Sequence, residues 1–230
     1  MNSFNTVKQA TLKQTVWRTL REAILRGELE PGKPLNQASI AAQLGVSRGP
    51  LREALGLLEE EGLVRSVPYR GTFVADFDDR IIAETYGLRL LLEQYAAERA
   101  IASSDDEEMA ELRSIYEEMV EAANEADMEK YHTLDLAFHR HLYVMADHEL
   151  LLQTWLNLEK NVKRGIYFGQ FQLYSPAELT ESHRKILEAI EARDVEMAKR
   201  EIDFHITDGC KRLTEHWKAV QDRTHSSEKG

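Results

Sequence analysis

The chain is poor in the features that mark secreted or membrane proteins. Its 230 residues hold one cysteine, Cys210. A single thiol excludes an intramolecular disulfide and fits a reducing cytoplasm, where it reads as a small buried apolar residue. No apolar run approaches the roughly 20 residues of a membrane-spanning helix. The first residues lack the apolar core of a secretory signal. No internal repeat is found, and no alternating strand pattern follows residue 76. A His-Glu-x-x-His arrangement is also missing, which removes one signature of a metal-dependent hydrolase.

What is present suits a soluble protein of one or two domains. Hydrophobic residues make up 43% and charged residues 30%, ordinary fractions for a chain long enough to bury a core. The net charge of −11 argues against nucleic acid until the chain is divided. Residues 1–75 carry ten Lys and Arg against seven Asp and Glu, a net of +3. Residues 76–230 carry nineteen against thirty-three, a net of −14. The basic part can meet phosphate, and the acidic part must face away from it. Two domains are expected, at 1–75 and 80–225, with residues 76–79 as the hinge.

The stretch from Leu44 to Val64 organises the first domain. Gly45 supplies a turn. Ser47 is placed to cap a helix through its hydroxyl, and Pro50 falls in the first turn, where its missing N–H costs nothing. Leu51, Leu55 and Leu58 form the buried stripe. Arg48 and Arg52 lie four apart, off that stripe and near the N-terminal end. Gly62 marks the stop. A short helix over residues 36–43 precedes the turn, and Leu63–Val67 and Thr72–Ala75 read as strands with Tyr69, Arg70 and Gly71 at the tip. Taken alone, the stretch also fits a surface helix with two solvated arginines. With its neighbours it reads as a winged helix-turn-helix, whose second helix enters the major groove. Before it, residues 6–26 read as a helix ended by Gly27. Arg18, Arg21 and Lys33 are either phosphate contacts or solvated charges.

Residues after 79 read as helix throughout. Ser104 with Glu107, and Ser175 with Glu178 behind Pro176, are capping-box patterns, and Asp194 caps the last helix. The fold class is therefore mainly α: a winged helix-turn-helix followed by an all-helical bundle of six or seven helices.

The bundle holds a candidate metal site. Asp135 and His139, four apart, share a helix face. His183 and His205 lie on two later helices among Ile186, Leu187 and Ile190, and among Ile202, Phe204 and Ile206. A bundle can aim three such helices at one interior point. Three imidazoles and a carboxylate suit zinc, nickel, manganese or iron; hydrogen-bonded core histidines are the alternative. His132 is a nearby decoy, and His141, His148, His216 and His225 are expected at the surface. Arg89 interrupts an apolar stretch and needs a carboxylate, either Glu93 one turn on or a ligand's.

With these residues in view, the chain resembles the GntR family of bacterial transcription regulators, in its FadR-type branch with an FCD effector domain. The resemblance spans about residues 10–215. It rests on PGKPLNQASIAAQLGVSRGPLREALGLLEEEGLV, on RGTFV, on Asp135-x-x-x-His139, on SHRKILEAI and on His205-Ile206. Threonine or another larger residue is usual where Gly49 stands, and glutamate where Ser182 stands. The resemblance implies Asp135, His139, His183 and His205 as ligands of a divalent metal, and a small carboxylate effector, with Arg89 to hold it. It also implies a homodimer on a palindromic DNA operator. Ser47, Arg48, Gly49, Arg52 and Gly71 are the expected DNA-binding residues. The expected function is a metabolite-responsive repressor. A metal-responsive regulator or a metal-dependent enzyme are the alternatives.

Overall fold

The computed structural model describes residues 12–173 and 175–227, and the chain divides into two compact units between Phe77 and Asp78. In the first unit, helix α1 (Leu12–Leu25) buries Val16, Leu20 and Ile24, each one turn from the next. The expected earlier start of this helix, at residue 6, lies outside the described residues. Helix α2 (Gln37–Leu44) is capped by the Asn36 side chain, which accepts from the Ser39 amide at 3.0 Å. Gly45, at φ 65°, turns the chain out of it in the left-handed region that glycine tolerates. Helix α3 (Arg48–Glu60) buries Leu51, Ala54, Leu55 and Leu58 and packs against α1. Glu61, just past α3, joins the two helices. It accepts from Trp17 Nε1 at 3.1 Å and pairs with Arg21 Nε at 3.4 Å. Arg21 is thus engaged within the fold, and Lys33 pairs with Glu30.

Strands β1 (Val64–Val67) and β2 (Gly71–Val74) form an antiparallel hairpin with Val64 opposite Val74 and Val67 opposite Gly71. The segment before α2 bonds to the same hairpin, through Leu35 N to Thr72 O at 2.8 Å and Val74 N to Lys33 O at 2.9 Å. A helix-turn-helix with a wing is therefore tied together by backbone bonds at both ends.

Two local expectations are corrected. Ser47 occupies the N-cap position of α3, but its hydroxyl makes no capping bond. A cap accepts from the second or third helical residue, and the third here is Pro50, which has no N–H to give. Ser104 does not open the next helix of the second unit. It ends α4 (Asp79–Ser103), its amide bonding to the Ala100 carbonyl, and the capping box falls one residue later on Asp105 and Glu108. Asp78 caps α4 through the Ile81 amide at 2.8 Å, so half of the expected hinge is the start of a helix.

The second unit, Asp78–Asp222, is built among the described residues from α4, α5 (Asp106–Asn124), α6 (Met128–Met145), α7 (Glu149–Leu173), α8 (Pro176–Glu191) and all but the last turn of α9 (Val195–Ser227). The Ser175–Glu178 capping box opens α8, and Asp194 caps α9 through the Met197 amide at 2.9 Å. Trp155 and Tyr143 stack at 4.7 Å in a core that also buries Phe138, Leu142 and Met119. Arg193, from the α8–α9 corner, donates to the carbonyls of Ile101 and Ser104. It thereby satisfies acceptors that the end of α4 leaves open. α4 and α6 pack on each other, which brings their buried polar faces together.

Leu58 has no exposed surface. Leu58→Ala is expected to destabilise the first unit by about 2–5 kcal/mol through the lost burial and the cavity left behind. Hydrogen exchange of the α1 and α3 amides should accelerate accordingly, while those of α4–α9 stay protected.

Candidate functional site

The first unit presents a helix face with little on it except charge. Arg48 and Arg52 are exposed on α3 and form no ion pair among the described residues. Gly49 and Gly56 lie on the same side, and a side chain added at Gly49 would meet only Ser47 Oγ, at 3.9 Å. The backbone here is open to approach by a large partner. At the wing tip Tyr69 is fully exposed with φ 61°, and Gly71 has φ 99°. Arg65 and Arg70 lie over the Phe73 ring at 5.2 and 5.8 Å. The sequence pointed to Gly71. It also placed Tyr69 and Arg70 at the tip, and the full exposure of Tyr69 follows from the hairpin register.

In the second unit α6 turns Asp135 and His139 fully inward, both essentially without exposed surface. His183 on α8 is equally buried, and His205 on α9 is partly exposed. The three imidazoles each offer a nitrogen within 4.8 Å of the others. His183 Nε2 lies 3.2 Å from His139 Nε2 and 3.0 Å from Asp135 Oδ1.

The outer ring nitrogens explain why this cluster is unusual. His183 Nδ1 is 2.7 Å from the Leu179 carbonyl, which can only accept, so this nitrogen carries the proton. His139 Nδ1 contacts a carboxylate oxygen of Glu93, which likewise accepts. His205 Nδ1 is 3.1 Å from Ser182 Oγ. The inner nitrogens of His139 and His183 are therefore lone pairs, and they converge on each other and on a carboxylate oxygen. Buried acceptors this close repel unless a proton or a cation lies between them. Burial pushes the His205 imidazole well down from its ordinary range, and His183, His139 and Arg89 push the same way. His139 is also lowered, by burial, although Glu93 opposes the shift. Neutral imidazoles with outward N–H groups are the form that binds metals. The donor set fits a divalent transition metal.

Glu93 links this cluster to Arg89. Its second oxygen accepts from Arg89 Nε at 3.1 Å, and both side chains are buried. Burial alone would raise the Glu93 carboxyl, but His139 and Arg89 hold it down at about 2. Arg89 Nη2 has no hydrogen-bond partner among the described residues. The Arg89 guanidinium lies 5.9 Å from both the Tyr86 and the Trp155 rings. It lines a cavity of about 240 Å³ together with Tyr86, Gly165, Ser182, Phe204 and His205. Burial also pushes the Tyr86 hydroxyl up to about 12, so it stays a neutral donor. A side chain at Gly165 would come within 3.1 Å of the Tyr86 hydroxyl and 3.0 Å of Leu213. Glycine there keeps room for the tyrosine at the cavity wall.

Some expectations do not survive. His141 is buried, not exposed, and lies 2.9 Å from the Glu108 carbonyl through Nε2. Phe204 is 63% exposed at the cavity rather than packed with Ile202 and Ile206, which are buried. His132 is buried against Tyr131 and lines a different cavity with Arg140 and Lys163, so it stays outside the histidine cluster. His148 and His216 are partly exposed; the side chain of His225 lies outside the described residues. Tyr86 and Gly165 were not foreseen, since neither belongs to a recognisable motif.

Comparison with known proteins assigns the class. The family model for bacterial regulatory proteins of the gntR family matches residues 12–74, and the FCD domain model matches residues 84–208. An uncharacterized HTH-type transcriptional regulator in an unstable DNA locus of Streptomyces ambofaciens is 31% identical over 90% of this chain and 88% of its own. A probable D-xylose utilization operon transcriptional repressor of Paenarthrobacter nicotinovorans is 32% identical over 80% of each chain. Among solved structures, Lar, described as controlling the agr system of Listeria monocytogenes, superposes with a TM-score of 0.68 at 20% identity, over 93% of this chain and 99% of its own. The chain belongs to the GntR family, with an FCD domain, and is a DNA-binding transcription regulator. The homologous proteins are named as transcription regulators or repressors. No helix among the described residues is long and apolar enough to cross a membrane.

Replacing Arg89 would leave Glu93 buried with one partner fewer. Arg89→Met is expected to cost about 3–5 kcal/mol, the usual effect of stranding one member of a buried ion pair. Urea denaturation followed by circular dichroism checks it, and an unchanged midpoint would contradict the pairing described here.

Proposed function

We propose that this regulator is a homodimeric repressor whose operator affinity is set by a small carboxylate metabolite bound beside a divalent ion in the helical unit. One observation carries the reading. A buried guanidinium, Arg89, has an Nη2 donor with no hydrogen-bond partner among the described residues, and it lines the same cavity as His205. A buried donor without an acceptor is costly, and a carboxylate is the acceptor that a guanidinium fits best. Asp135, His139, His183 and His205 would hold the ion: zinc, nickel, manganese or iron. The ion would supply a positive centre for an anionic oxygen of the metabolite. In the alternative the ion itself is the effector. Arg89 and the cavity favour an organic acid over that alternative, because an ion alone uses neither.

Arg48 and Arg52 are the proposed readers of base edges in the major groove, with Ser47 and Gly49 at the helix start close to the DNA backbone. Gly71 lets the wing approach the duplex. Dimerisation is supported by a stripe of exposed large apolar residues on α4: Leu88, Leu91 and Tyr95, at helical spacing. A two-fold dimer would match a palindromic operator. Control then follows from population shift: the metabolite binds one arrangement of the two DNA-binding units better than the other. The repressor assignment follows the Paenarthrobacter relative and rests on family analogy.

Two measurements test this. Arg52→Ala is expected to lose about 1–3 kcal/mol of discrimination between operator and random DNA, the size of a bidentate arginine–guanine contact. It should keep the wild-type thermal midpoint. Fluorescence anisotropy at fixed salt reads the loss, and equal discrimination by both proteins would remove Arg52 from the interface. Thermal-shift screening against small organic and sugar acids, with and without a chelator, tests the effector. A stabilising acid whose effect disappears with chelator supports the metal-bound carboxylate. Stabilisation that survives chelation moves the ligand off the ion. A response to metal alone, matched by metal-dependent operator binding, favours the ion as effector.

A further inference from the structure

The three imidazoles of the cluster are oriented by three different partners. His139 is held by the Glu93 carboxylate and His183 by the Leu179 carbonyl. His205 is held by a hydroxyl, Ser182 Oγ, at 3.1 Å. A hydroxyl both donates and accepts, so by itself it does not choose between the two neutral forms of the ring. The choice is made one turn back. Ser182 Oγ is also 3.1 Å from the Leu179 carbonyl, which takes the hydroxyl proton because it can only accept. A carbonyl oxygen has two lone pairs. That of Leu179 receives both the Ser182 proton and the His183 Nδ1 proton. With its own proton committed, Ser182 offers His205 a lone pair, and His205 must answer with Nδ1–H.

We infer that Ser182 is the positioning residue for His205, holding the ring in the neutral form whose Nε2 is a bare ligand nitrogen. One backbone carbonyl on α8 thereby orients two ligands, His183 directly and His205 through the serine. The hydroxyl also ties α9, which carries His205, to α8 at this point. The serine side chain is short enough to bond back to its own helix. The consequence for metal binding rests on the metal reading above. The orientation of the ring does not, because it belongs to the protein without an ion.

The test uses Ser182→Ala, which removes the relay, and Ser182→Thr, which keeps the hydroxyl. Two readouts are taken on the full chain. Long-range proton–nitrogen NMR correlations on histidine-labelled, chelator-treated protein report which His205 nitrogen carries the proton. Zinc affinity is measured by competition with a chromophoric chelator. Wild type and Ser182→Thr are expected to protonate His205 at Nδ1, whereas Ser182→Ala should show a mixture or the reversed form. Zinc affinity should fall about 10- to 100-fold in Ser182→Ala, the usual effect of removing a group that orients a metal ligand, and recover in Ser182→Thr. A His205 ring protonated at Nδ1 equally in wild type and Ser182→Ala, or zinc affinities within twofold of each other, would overturn the inference. If wild type itself takes up no zinc, the metal reading falls, and the NMR result alone decides the role of Ser182.

Discussion

Glu93 lies fully buried between a guanidinium and an imidazole, and the interior of the helical unit is arranged around that position. One oxygen meets Arg89 Nε, and the other meets His139 Nδ1. An isolated carboxylate at such depth would be protonated or expelled. Here two donors on different helices hold it ionised, so α4 and α6 must meet in one register. The same contact turns the His139 proton outward and its lone pair inward. The packing of two helices and the chemistry of a ligand nitrogen are therefore decided by one carboxylate.

From that register the remaining polar groups follow. Asp135 sits one turn before His139 and faces His183 across the interior. His183 and Ser182 both bond back to Leu179, so α8 delivers its imidazole with the lone pair facing in. A cluster of acceptors without donors between them is electrostatically unstable unless it holds positive charge, and this favours a bound cation over a passive polar core. On the far side of Glu93, Arg89 lines a cavity and has one donor without a partner among the described residues. A single buried chain, Arg89–Glu93–His139, thus joins the proposed effector site to the proposed metal site.

The DNA-binding unit follows the opposite logic. Its interior is apolar, made by Leu51, Leu55 and Leu58 on α3 against Val16, Leu20 and Ile24 on α1. On α3, Arg48 and Arg52 are left outside with no ion pair among the described residues, and at the wing Arg65 and Arg70 lie over Phe73. Buried charge is the basis of the ligand response proposed for the helical unit. Exposed charge gives the winged helix its attraction to phosphate. The split in net charge along the chain reflects this division of tasks.

Much of this was legible in the residue order, for reasons that are local. Amphipathic periodicity, glycine turns and the Ser175–Glu178 box place helices because they depend on neighbours three or four residues apart. Asp135 and His139 could be assigned to one face for the same reason. Where local rules competed, the sequence misled: a good capping serine at position 47 faced a proline without an amide, and Ser104 was claimed by the helix it ends. His141 was read as exposed because nothing nearby in sequence announces the Glu108 carbonyl that receives it. Tyr86, Gly165 and the serine relay to His205 depend on residues tens of positions apart. By itself the sequence determined the family, the two-part plan and the inventory of ligand-type side chains, since these rest on short spacings and composition. Only the tertiary structure decided which nitrogens face inward, how Arg89 is placed and where the cavity opens. Those depend on how helices distant in the chain are brought into register.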